Sequence, residues 1–232
     1  MKTGFSTWED LNRTLVACQI CPRLVEWRER VAREKRRAYA DWQYWGKPVP
    51  GFGDQQAGLL IVGLAPGAHG SNRTGRMFTG DASGDFLYPA LYEAGFASQP
   101  FARDRSDGLE LRRVFISAVC RCVPPENKPT SVEIGNCLPY LRAEIALLKR
   151  LQGIVALGNI AFSQLLKLYK NEFHIEKNEK PVFANNRLYE FGNRVPWLLA
   201  SYHPSRQNTQ TGRLTRQMFV KIWQKAKERL GE

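Results

Sequence analysis

Four short apolar runs organise the chain: Leu59 to Val62, Val114 to Val119, Ile154 to Leu157 and Trp197 to Tyr202. Near-continuous rather than alternating hydrophobicity is the pattern of strands buried on both faces of a parallel sheet. Between the runs, apolar residues recur at helical spacing. Leu11 and Leu15 form one such stripe, as do Leu24 and Val31, Leu87 and Leu91, Leu141 and Ile145, and Leu214, Met218 and Ile222. Ser6 with Glu9 and Thr130 with Glu133 read as capping boxes, and a helix is expected from about Ile160 to Tyr169. The segment 171–193 is polar and irregular, with a short strand at Leu188 to Phe191. Strands alternating with helices predict an α/β fold with a mostly parallel sheet covered on both faces.

The longest irregular connection follows the first run. Gly63 to Gly84 is built from Gly, Pro, Ser, Asn and Thr, residues that tolerate unusual backbone angles and leave amides free. It has no Walker lysine, and its glycines miss the dinucleotide spacing. Loops 64–84, 120–129 and 203–212 each follow a strand, so all three should meet in one crevice at the carboxyl ends of the sheet. Asp85, at the start of the helical pattern, reads as its N-terminal cap.

Composition narrows the function. The 232 residues suit a single domain, 1–232, whose first 45 residues supply amino-terminal helices. No apolar run reaches transmembrane length and no secretory h-region opens the chain, so a cytoplasmic protein is expected. The formal charge of +12 points to a polyanion, with nucleic acid foremost. The run Arg33, Lys35, Arg36 and Arg37 is the usual signature of a solvated helix face, although it could also lie against a DNA backbone. Five cysteines include the pair Cys18 and Cys21, with Cys122 and Cys137 far along the chain and Cys120 beside them. Two separated pairs suit a four-thiolate site for zinc or an iron–sulfur cluster, and residue types alone do not choose between them.

Three segments then converge on one family. GLAPGAHGSNRTGRMFTGDASG, CRCVPPENKPT and SYHPSRQNTQTGRLT resemble the signature segments of the uracil-DNA glycosylase superfamily, most closely its family 5, and the resemblance runs over nearly the whole chain. It implies a three-layer α/β/α fold with a central four-stranded, mostly parallel sheet. It also implies a [4Fe–4S] cluster on Cys18, Cys21, Cys122 and Cys137, and hydrolysis of the bond between a deaminated base and deoxyribose. Uracil is the expected base, with hypoxanthine accepted as well.

By the same resemblance Asp81, Asn127 and His203 are the catalytic residues, and Gly63, Ala65, Phe78, Asn127 and His203 bind the base. Leu64 and Ala65 stand where other branches carry an acid, which leaves Asp81 to orient water or stabilise a cationic sugar. His69 is a candidate helper. Ser71, Asn72, Arg73 and Arg76 are candidate phosphate contacts, and Ser205, Arg206, Gln207 and Asn208 would enter the helix where the base has left. The implied partner is damaged DNA, double-stranded and also single-stranded, bound by a monomer without a membrane. A family 4 enzyme and a non-catalytic module that binds damaged DNA are the competing readings.

Overall fold

A computed structural model describes residues 4–175, 181–192 and 194–231. Its centre is a six-stranded mixed sheet in the order β1-β3-β2-β4-β6-β5, between two layers of helices. The four expected runs become β2 (Leu59–Gly63), β3 (Val114–Ala118), β4 (Gly153–Leu157) and β6 (Trp197–Ser201), all mutually parallel. Two short antiparallel strands extend this core and correct the expected count of four: β1 (Phe52–Gly53) on β3 and β5 (Arg187–Tyr189) on β6. The first is too short to leave a periodic signal. The second occupies the place of the expected strand at 188–191, while residues 176–180 and 193 of that irregular segment lie outside the described residues.

Alternation along each strand feeds the two layers. Leu59 and Ile61 pack with the helices α4 (Ala82–Glu93) and α8 (Arg216–Arg229), whereas Leu60 and Val62 pack with α5 (Ser131–Leu147) and α6 (Asn159–Glu172). Each such fully buried side chain contributes about 1.5–3 kcal/mol relative to exposure. On the outer side of α5, helix α1 (Trp8–Val16) buries Leu11 and Leu15 against Tyr140 and Ala143. Its cap is Thr7, which accepts from the amide of Asp10, and not Ser6. The Thr130–Glu133 capping box of α5 forms in full. Helix α2 (Pro22–Glu34) follows α1. Among the described residues no helix is long and apolar enough to cross a membrane.

The strand order decides where a ligand can sit. The chain leaves β2 to form β3 on one side and returns to form β4 on the other. That reversal opens a crevice outside the carboxyl ends of the strands.

Candidate active site

A cleft of about 440 Å³ occupies this position. Its walls come from all three expected loops: Leu64, Ala65 and Gly67 after β2, Asn127 after β3, and His203, Ser205 and Gln207 after β6, with Phe78 and Asp81 from the end of the first loop. Asp81, Asn127 and His203 therefore share one cavity. Ala65 and Phe78 line it with them, but Gly63 acts differently. A Cβ at Gly63 would stand 2.7 Å from Cζ of Phe78, so the missing side chain lets the ring lie across the end of β2.

The ring of Phe78 faces the imidazole of His203 at 5.9 Å between centroids, tilted by 32°. Phe78, Glu126 and Asn127 all have positive φ, at 52°, 54° and 58°, and all three line the cleft. Non-glycine residues held in that region cost of order 1–3 kcal/mol each, a strain that concentrates at functional sites.

Asp81 has two jobs. It is the N-cap of α4, with Oδ1 accepting from the amides of Ser83 at 3.0 Å and Gly84 at 3.1 Å. The cap expected at Asp85 thus belongs to Asp81, and Asp85 sits in the first turn. The second oxygen, Oδ2, lies over Gly67 and Gly70, where any Cβ would collide with it. Burial pushes the Asp81 carboxyl up, against the two amides and the positive charge of Arg73. Burial brings His203 down to about 4, which leaves a neutral imidazole at physiological pH. Asn208 fixes the backbone there by donating from Nδ2 to the His203 carbonyl at 2.9 Å.

The expected phosphate contacts divide sharply. Arg206 and Gln207 are exposed and Ser205 is partly exposed at the rim. Ser71, Asn72, Arg73 and Arg76 are buried; Ser71 lines the cleft, whereas Asn72 donates from Nδ2 to the carbonyl of Arg28 at 3.2 Å. Arg73 donates to the carbonyls of His69 and Gly80, and Arg76 forms a two-pronged pair with Asp107 at 2.9 and 2.6 Å. These side chains build the loop instead of projecting from it. His69 does not line the cleft; its Nδ1 meets the Tyr44 hydroxyl at 3.0 Å. Residues that line the cleft without having been anticipated include Met77, Ser83, Glu126 and Lys128. Lys128 lies within the second signature segment, and its position one residue after Asn127 was the available signal.

The expected [4Fe–4S] cluster is not supported. Cys18, Cys21, Cys122 and Cys137 do line one cavity, but it measures about 20 Å³, room for about one water and not for an iron–sulfur cube. Protein donors approach three of the four sulfurs. Arg28 Nη1 reaches Cys122 Sγ at 3.0 Å, the amide of Arg121 reaches Cys137 Sγ at 3.2 Å, and Asn136 Nδ2 reaches Cys21 Sγ at 3.5 Å. Among the described residues no group of three or more His, Cys, Asp or Glu side chains is arranged to hold a metal ion. The spacing correctly gathers the cysteines; it does not by itself create a site of the size and donor arrangement a cluster needs.

Comparison with known proteins agrees with the cleft. The sequence profile of the Uracil DNA glycosylase superfamily matches residues 50–227, a span that contains all three loops. Type-5 uracil-DNA glycosylases are similar over almost the full length. That of Thermus thermophilus is 52% identical over 220 residues, covering 94% of this chain and 96% of the relative. The chain belongs to family 5 of the uracil-DNA glycosylase superfamily. A second family 5 relative, from Pyrobaculum aerophilum, is 43% identical over 94% of this chain and 92% of its own. A type-4 uracil-DNA glycosylase of the same organism matches only 54% of this chain, at 39% identity over 127 residues, so family 4 is the more distant branch.

Proposed function

We propose that this protein removes uracil from DNA by hydrolysing the bond between the base and its deoxyribose, leaving an abasic site. The observation that carries the reading is the convergence of Asp81, Asn127, His203 and Phe78 on one cleft at the switch point of the sheet.

A base inside a duplex is out of reach and must first turn out of the stack into a pocket that reads its edge and stacks on its face. Phe78 provides the stacking ring, and the Asn127 amide offers both a donor and an acceptor to the base edge. As the bond from C1′ to the base nitrogen breaks, its electron pair leaves with the base and the sugar becomes cationic. The neutral imidazole of His203 donates a hydrogen bond to the base oxygen where negative charge collects. The Asp81 carboxylate, anchored through Oδ1, uses Oδ2 to orient water and to stabilise the sugar cation; the water oxygen bonds to C1′ and its proton passes to the carboxylate or the departing base. Ser205, Arg206, Gln207 and Asn208 occupy the rim where the vacated helix would lie.

The apolar wall of Leu64 and Ala65 and the cleft volume of about 440 Å³ support acceptance of a larger purine such as hypoxanthine beside uracil. We read the protein as a single-domain cytoplasmic monomer acting on double-stranded and single-stranded DNA. The test is base release from a duplex carrying one uracil, read as alkali-labile strand breaks. Uracil-dependent cleavage is expected, and DNA binding without release would replace the enzyme by a damage-binding module.

A further inference from the structure

The cleft needs positive charge beside it to hold a DNA backbone, yet the two arginines of its longest loop are turned inward. The segment that follows α2 supplies what they do not. Lys35 ends α2 with a positive φ of 53°, which turns the chain into a short 3-10 turn, Arg37–Tyr39. Six contacts then fasten this segment to the loop that carries Ser71. The Arg73 guanidinium lies 4.0 Å from the rings of both Tyr39 and Trp42, in the corner that these two nearly perpendicular rings form. The amides of Trp45 and Gly46 donate to the carbonyls of Arg73 and Asn72 at 2.9 and 3.1 Å. Tyr44 meets His69, and Gly75 makes room for the Trp45 ring, which a Cβ would approach to 2.8 Å.

This arrangement fixes a cationic strip against the loop whose Ser71 lines the cleft. Arg33, Arg36, Arg37 and Lys47 are exposed, and among the described residues none of the three arginines pairs with a carboxylate. Glu34 and Asp41 are the acidic residues of the same stretch, against five cations. The Arg36 charge is felt at the loop itself: His69 is pushed down by burial and then by Arg36 and Arg73. The contacts of Arg73 with Tyr39 and Trp42 restrain the backbone of the strip while its long arginine side chains remain exposed to meet phosphates. That combination suits backbone contacts, which position a protein on DNA without reading its sequence.

We propose that Arg33, Arg36 and Arg37, held against the loop that carries Ser71 by the cation–π contacts of Arg73 with Tyr39 and Trp42, grip the phosphate backbone of the DNA beside the extruded nucleotide. The proposal rests on the reading of the cleft as a DNA glycosylase site. The test measures affinity for a fluorescent duplex by anisotropy from 50 to 200 mM salt in wild type, in Arg36→Ala/Arg37→Ala and in a charge-matched control. The control, Lys149→Ala/Arg150→Ala, removes two exposed cations just before β4, at the end of the sheet away from the cleft. Each lost phosphate contact should flatten the plot of log affinity against log salt by about 0.9. The Arg36/Arg37 variant should therefore lose roughly 1.8 in slope and the control none. An unchanged slope in the first variant, or an equal loss in both, overturns the proposal. Uracil release by the same wild-type preparation reports separately on the site: a protein that binds without releasing base fails as a glycosylase while the slopes still decide the strip.

Discussion

The loops after β2 and after β6 face each other across the cleft and are built on opposite principles. The first is cross-linked to the body of the protein. Arg73 bonds two carbonyls of its own loop while packed against two rings, the Thr74 hydroxyl lies within 3.4 Å of the carbonyls of Gly70, Arg76 and Thr79, and Arg76 pairs with a buried Asp107. The second mostly bonds to itself. Its short helix α7 (Arg206–Gln210) is closed by Thr209 and Thr211 hydroxyls donating to carbonyls one turn back, and its outer side chains are exposed. Asp81, the acid of the proposed reaction, sits at the end of the rigid loop, where preorganised electrostatics are most effective. The side chains proposed to meet the deformable helix sit on the looser one.

The largest expected effect is on Asp81. Asp81→Asn keeps an oxygen for the Ser83 and Gly84 amides, and Asn caps a helix about as well as Asp, so the folded protein should melt almost unchanged. Single-turnover uracil release should nevertheless fall by about 10²–10⁴, the usual contribution of a positioned acid or base. A rate within threefold of wild type would remove Asp81 from the chemistry. Because burial raises this carboxyl, the acid limb of the wild-type rate profile should lie above the ordinary carboxylate value of about 3.9.

Next comes the brace beneath it. Arg76 and Asp107 are 5% and 6% exposed, and Arg76→Met strands a buried carboxylate, a change that typically costs about 3–5 kcal/mol. Denaturant unfolding would measure it; a loss below about 1 kcal/mol would mean the loop is not held as its contacts indicate. Burial pushes the Asp107 carboxyl up, but Arg76 and the amides of Arg103 and Leu109 outweigh it and bring it down to about 2. The stabilisation is thus complete above the unfolded value near 3.9 and is lost as pH falls towards about 2.

The residues of the first loop also show what a sequence can and cannot disclose. The place of Asp81 in the cleft was legible from the family resemblance of its segment, and that of His203 because it ends an apolar run. The parallel strands were legible for the same reason, as continuous apolar segments. The fate of Arg73 and Arg76 was not, since an arginine in a loop reads as a surface cation unless its partners are known. Tyr39, Trp42 and Asp107 lie about 30 positions away and carry no periodic signal. The cysteines show the converse: spacing foretold their proximity, but not the small cavity or the arginine and asparagine donors that meet their sulfurs.

A smaller effect distinguishes the walls by pH. His203 titrates near 4 in the folded protein, against about 6.5 unfolded. The unfolded chain therefore binds the extra proton first, and stability contributed by the neutral imidazole is complete above about 6.5 and lost as pH falls towards 4. The gap corresponds to roughly 3 kcal/mol. His203→Asn should flatten the dependence of unfolding free energy on pH between 4 and 7, and an unaltered slope would place His203 in water.

The smallest expected change in stability belongs to the looser loop, and it is the one that tests the contrast most directly. Gln207 is exposed and lines the cleft from the rim. Removing an exposed side chain that braces nothing should alter stability by no more than about 0.5 kcal/mol. If the rim fills the gap left by the extruded base, Gln207→Ala should slow uracil release from a duplex while leaving release from a single strand nearly intact, because only the duplex must be unstacked. Equal slowing on both substrates would instead make Gln207 part of the pocket, and the two loops would then share one task. An unstable variant would show that the second loop, like the first, is a structural brace, and the division between a rigid wall and an adaptable rim would fall.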